Sequence, residues 1–191
     1  MSNFAAVLDA CVIIPAAVRD TLLRAAEAGL YRPRWSHDIL EEVERNLIRI
    51  IDARGHEDAE ERVQHLLAEL RAQFPEAIVT GYDALIPTMT NHEEDRHVAA
   101  VTSDAQAIVT SNTKHFPTAA LDPYNIEALT PDQFLSDLFD LYPERMCAIL
   151  RSQAAALRQP RSIDDLLSNL NRSAPNFVNV VRRYFAQHMP C

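Results

Sequence analysis

Up to Thr130 the chain alternates between short unbroken apolar runs and longer segments with apolar residues at helical spacing. A run such as Phe4-Ala5-Ala6-Val7-Leu8 has no polar position to turn toward water, so it fits a strand covered on both faces. Such strands separated by amphipathic helices predict an α/β fold with a central, mainly parallel sheet. Further strands are expected at Leu30 to Trp35, Ala77 to Thr80, Gln106 to Thr110 and Ile126 to Leu129. Pro15 opens a helix with Val18, Leu22, Leu23 and Ala26 on one side, and Gly29 closes it. Ser36 is placed to cap a helix whose face is Ile39, Leu40, Val43, Leu47, Ile50 and Ile51. A third helix runs from Asp58 to Gln73, and Asp95 opens a fourth that reaches about Ala105. With only three glycines the chain has no glycine-rich phosphate loop, neither a P-loop nor a GxGxxG.

After Thr130 the pattern changes. Thr130-Pro131-Asp132-Gln133 has capping-box spacing with proline at the first helical position. Helical patterns then follow at Phe134 to Leu141, Pro143 to Leu157, Ser162 to Leu170 and Asn176 to Phe185, with no strand-like run among them. The division predicted is an α/β unit, 1–135, and a helical extension, 136–191. In the last helix Val178, Val181 and Phe185 are expected in the core; the alternative gives Arg182, Arg183, Tyr184 and Phe185 to RNA.

The composition is that of a globular protein with a full core, 48% apolar and 24% charged. No apolar stretch is long enough for a membrane span, and the first residues lack a basic segment and are interrupted by Asp9, so a cytoplasmic protein is expected. Cys11, Cys147 and Cys191 show no C-x-x-C pattern and are expected to be buried small residues, neither zinc ligands nor disulfides. Net charge is −9, from 27 acidic and 18 basic side chains, so any contact with nucleic acid must be local or metal-mediated. Arg32 and Arg34 beside Trp35 could touch RNA or pair with nearby acids.

In an open parallel sheet, ligands bind beyond the carboxyl ends of the strands where strand order reverses. Asp9 and Asn112 end the first and fourth strand-like runs and can meet there. Asp95 shares a face with Val98, Ala99 and Thr102, so its carboxylate turns inward and needs a partner: a hydrogen bond, an arginine or a metal ion, unless it only caps its helix. Helical spacing does not choose among Glu41, Glu42 and Glu44, for which a solvated face is the simplest account.

Four segments together resemble the successive motifs of the PIN-domain family: Val7-Leu8-Asp9-Ala10-Cys11-Val12, Trp35 to Val43, Asp95-Arg96-His97-Val98-Ala99-Ala100, and Ile108 to Pro117. The branch they look most like is the VapC-type ribonuclease toxins. The resemblance implies a three-layer α/β/α fold and a Mg²⁺- or Mn²⁺-dependent endoribonuclease that leaves phosphate on the 5′ side of the break. It also implies a protein antitoxin as partner. By motif, Asp9, Glu42 and Asp95 are carried over as metal ligands, Glu42 on this ground alone; Mg²⁺ takes hard oxygen donors in near-octahedral array. Thr110 and Ser111 could position water or phosphate, or simply form the turn. Asn112 stands where many members have aspartate; its amide can ligate but supplies no charge and takes no proton. Asp122 could compensate, or serve as a turn acid before Pro123. The terminal helices could bind an antitoxin, form a homodimer face or cover an RNA groove. The competing readings are a non-catalytic PIN-like module that binds RNA or protein, and a structural part of a larger complex.

Overall fold

The computed structural model describes residues 3–157 and 162–188; Cys191 and the break expected at Pro160 lie outside them. Four strands form one parallel sheet in the order β2-β1-β3-β4, with β1 at Ala5–Leu8, β2 at Arg32–Arg34, β3 at Ala107–Val109 and β4 at Glu127–Leu129. Every residue of β1 and β3 is buried, as expected of strands covered on both faces. β1 pairs on one side with β2, Val7 opposite Arg34, and on the other with β3, Leu8 opposite Val109. The chain passes from β1 to β2 and then back across to β3. Strand order therefore reverses at β1, opening a crevice at the carboxyl ends of β1 and β3.

Helices cover the sheet. A short turn, α1 (Ala10–Ile13), leads to α2 (Ala16–Glu27), which Gly29 terminates at φ 71°, a conformation glycine adopts without strain. Ser36 caps α3 (His37–Asp52): its Oγ accepts from the Ile39 N–H at 3.1 Å. Ile39, Leu40, Val43 and Leu47 form the buried face of α3, and Val63, Leu67 and Leu70 that of α4 (Ala59–Gln73).

Two expected elements are corrected. Ala77 to Thr80 is no strand: Pro75–Ala77 form a 3₁₀ turn and Ile78 makes one isolated parallel bridge to Trp35. Pro75 fixes the turn on one side and Gly81, at φ 76°, breaks the extension on the other, leaving room for little more than that bridge. The helix after Asp95 is shorter than expected. It is α5 (Arg96–Ala100), tightening to 3₁₀ at Val101–Asp104, where the Thr102 hydroxyl donates to the Ala99 carbonyl three residues back. A further short turn, α6 (Thr118–Leu121), precedes β4.

The C-terminal layer is α7 (Pro131–Leu141), α8 (Pro143–Ala155), α9 (Ile163–Leu170) and α10 (Pro175–His188). Capping boxes at Thr130 with Gln133 and at Ser162 with Asp165 start α7 and α9. Phe134, Leu135, Leu138 and Phe139 of α7 face Phe177, Val178 and Val181 of α10 within one core that continues to β1. Phe185 departs from expectation. It is only half-buried, with the Arg151 guanidinium 5.3 Å from its ring. Thr21 of α2 donates to Gln153 Oε1 at 2.8 Å, and Gln153 Nε2 donates to the Ala17 carbonyl at 3.0 Å, a buried polar clamp between α2 and α8.

Candidate metal centre

Asp9 leaves the end of β1 directly into the crevice and is 3% exposed. Its Oδ2 accepts from the Thr110 hydroxyl at 2.6 Å and from the Cys11 thiol at 3.0 Å. Thr110 Oγ1 in turn accepts from the Asn112 N–H at 3.0 Å, and Cys11 Sγ from the Ser111 N–H at 3.1 Å. Both bonds to the carboxylate fall on Oδ2, so Oδ1 is the oxygen they leave for a ligand. The thiol of Cys11 is pushed up to about 12, first by burial and then by the Asp9 charge, so it stays a neutral donor. Cys11 is thus a half-buried polar partner of Asp9, not the plain apolar filler expected; Cys147, fully buried, is that.

Glu42 and Asp95 come from other elements. Glu42 lies on α3 with its side chain 32% exposed, and His97 Nε2 is 3.9 Å from its Oε2. Its carboxyl is raised above the usual glutamate range by burial first, then by the charge of Asp9 and also by that of Asp95, with His97 and Arg45 opposing. Asp95 stands at the cap of α5 but makes no capping bond; its side chain, 15% exposed, turns inward and its Oδ2 meets His115 Nδ1 at 2.6 Å. The charges of Asp9 and Asp95, on two other elements, therefore reach Glu42. Glu44 faces elsewhere, accepting from Gln64 of α4 at 2.6 Å, and Glu41 is exposed.

Carboxylates are hard oxygen donors of the kind Mg²⁺ and Mn²⁺ take, but among the described residues the group whose ligand atoms lie within 4.8 Å of one another is His92, Asp95 and His115, not the three acids. Ser111 and Asn112 are exposed beside them, and the Asn112 carbonyl accepts from the His115 N–H at 2.8 Å. Asp122 is exposed in a 3₁₀ turn and is not among the charges that move Glu42.

Sequence patterns did not find the histidines. The His92 and His115 rings stack at 4.2 Å, 13° from parallel, but His115 is 20 residues from Asp95 and no periodicity links them. Arg32 and Arg34, weighed for RNA or for acids, donate to the backbone carbonyls of Asn3 and Glu76 at 3.1 and 2.8 Å.

A family model described as PIN domain matches residues 5–114, and one described as VapC50 C-terminal domain matches residues 131–183. The curated protein named "Putative ribonuclease VapC50" of Mycobacterium tuberculosis (strain ATCC 25618 / H37Rv) is 44% identical over 117 residues, covering 60% of this chain and 69% of that one. No solved structure matches the chain.

Proposed function

The chain belongs to the PIN-domain family, and from that premise we propose that it is a metal-dependent endoribonuclease, the toxin of a toxin-antitoxin pair. The relative's name as a ribonuclease supports the reaction class. The reading of Asp9, Glu42 and Asp95 as metal ligands is supported by the Glu42 carboxyl, which burial raises first and the charges of Asp9 and Asp95 raise further. Bound there, Mg²⁺ or Mn²⁺ supplies Lewis acidity toward the phosphoryl oxygens and lowers the pKa of water.

The chain's own residues hold the geometry. Thr110 and Cys11 fix Asp9 through one oxygen, and His115 fixes Asp95. The Thr110 hydroxyl is committed to Asp9, so it positions a ligand; Ser111 is the exposed hydroxyl free in position to meet water or phosphate. Asn112 offers a neutral amide at the same rim and takes no proton. RNA is the proposed substrate and a protein antitoxin the proposed partner. A homodimer is a further arrangement the terminal helices would serve. No helix among the described residues is long and apolar enough to cross a membrane; a nuclease acting on transcripts works in the cytoplasm, the compartment proposed. The proposed division is a nuclease unit, 1–135, and an extension, 136–191, a boundary that falls within α7.

The test is cleavage of a mixed RNA pool by the purified protein with Mg²⁺ or Mn²⁺, beside EDTA and the Asp9→Asn variant. Asparagine keeps an acceptor for Thr110 and Cys11 but removes the charge, so the fold persists while cleavage falls at least about a hundredfold. A folded, antitoxin-free wild type without activity would overturn the enzyme reading in favour of a binding module.

A further inference from the structure

We propose that His92, Asp95 and His115 form a second cation site, one for a borderline transition ion of the Zn²⁺ and Co²⁺ class, which shares Asp95 with the carboxylate cluster. One ligand atom from each of the three side chains lies within 4.8 Å of the other two. Two imidazoles and a carboxylate are a mixed nitrogen and oxygen donor set, which selects zinc-like ions and is poorly suited to Mg²⁺. Three protein ligands with a solvent-facing side leave an open coordination position, the pattern of zinc sites that bind a water or an exogenous group.

The backbone holds these donors together. The His92 N–H donates to the His115 carbonyl at 3.1 Å, the Asp95 N–H to the His92 carbonyl at 3.0 Å, and the His115 N–H to the Asn112 carbonyl at 2.8 Å. The turn that carries His92 and Asp95 is thereby stapled to the loop after β3. His115, 25% exposed, is the fixed ligand; the 2.6 Å contact of its Nδ1 with Asp95 Oδ2 holds a proton where the cation would lie, and that proton leaves on binding. His92 is the moving one. Near-parallel rings do not aim two nitrogens at one ion, so the exposed His92 ring has to turn out of its stack, which costs few contacts. Glu93 and Glu94, exposed in the same turn, give the approach a negative field.

This site stands on the histidine geometry and not on nuclease activity, so the two are tested apart. The full chain is titrated with Co²⁺ alone while its visible ligand-field absorption and stoichiometry are followed, then challenged with Zn²⁺ and with Mg²⁺. Expected are one Co²⁺ with nitrogen-ligand absorption and displacement by Zn²⁺ at far lower concentration than by Mg²⁺. His92→Ala, at an exposed position that leaves the fold intact, weakens Co²⁺ binding at least about tenfold, and His115→Ala does so at least as strongly. Asp9→Asn retains the Co²⁺ signal even as it abolishes cleavage. Loss of the signal in Asp9→Asn with retention in His92→Ala would place the ion among the carboxylates and overturn the proposal. Absence of any nitrogen-ligated Co²⁺ in the wild type would also overturn it, and neither result would touch the nuclease reading.

Discussion

The carboxyl edge of the sheet and the C-terminal helical layer are held by similar hydrogen bonds that differ in reach. In the helices, Thr130 to Gln133 and Ser162 to Asp165 close over three residues. At the sheet edge, Thr110 and Asp9 are 101 residues apart and His115 and Asp95 are 20 apart. Local bonds specify elements, whereas distant bonds join them, at the sheet edge as at the Thr21–Gln153 clamp, and only the first kind leaves a pattern that can be read along the chain. Asp132 lies between the two cases. From the first turn of α7 its carboxylate accepts from the N–H groups of Asn176 and Phe177, at 3.2 and 2.8 Å, and so satisfies the start of α10 from another helix.

Four substitutions probe this contrast. Phe177→Ala empties a fully buried position between α7 and α10 and should cost about 3–5 kcal/mol in urea unfolding. Because the core runs unbroken from β1 to α10, a single transition should shift as a whole; two separate transitions would show that the helical layer is an independent unit. Thr110→Val strips Asp9 of its 2.6 Å donor and should cost about 1–3 kcal/mol while also lowering cleavage, by loss of positioning. Its counterpart in the helical layer, Asp132→Ala, should cost about 1 kcal/mol with cleavage unchanged; an equal fall in cleavage would break the distinction between cap and site.

Glu42→Gln has the smallest effect and the opposite sign. The folded state holds the Glu42 carboxyl above its ordinary value, so the stability linked to it is complete at low pH and is lost as pH rises through the raised value. With EDTA near neutral pH, glutamine should stabilise the fold by less than about 1 kcal/mol, and near pH 4 the gain should vanish. Thermal unfolding at the two pH values checks both the sign and the disappearance.

Much of the architecture was legible because its signals are short-range: Ser36 before the apolar stripe of α3, the box at Thr130, and the covered run of β1. The expected strand at Ala77 to Thr80 failed because turn chemistry at Pro75 and Gly81 outweighs a brief apolar run. At the site, Asp95 could be read as inward-facing from Val98 and Ala99, which are buried. Glu42 could not be separated from Glu44, because α3 packs against both α1 and α4 and a helical wheel records one stripe without saying which neighbour covers which flank. The support that Thr110, Cys11 and His115 give the acids exists only in three dimensions.

The central position of β1 has a consequence for the order in which the molecule comes into being. All three acids precede β3 in the chain, yet the side chains that fix Asp9 and Asp95, Thr110 and His115, follow it. During synthesis a ribosome that has released only the first hundred residues carries all three acids but, of the side-chain bonds to Asp9 and Asp95, only the one from Cys11. The bonds from Thr110 and His115 form when the later segment docks against the first strand, so an unfinished or cleaved chain lacks them.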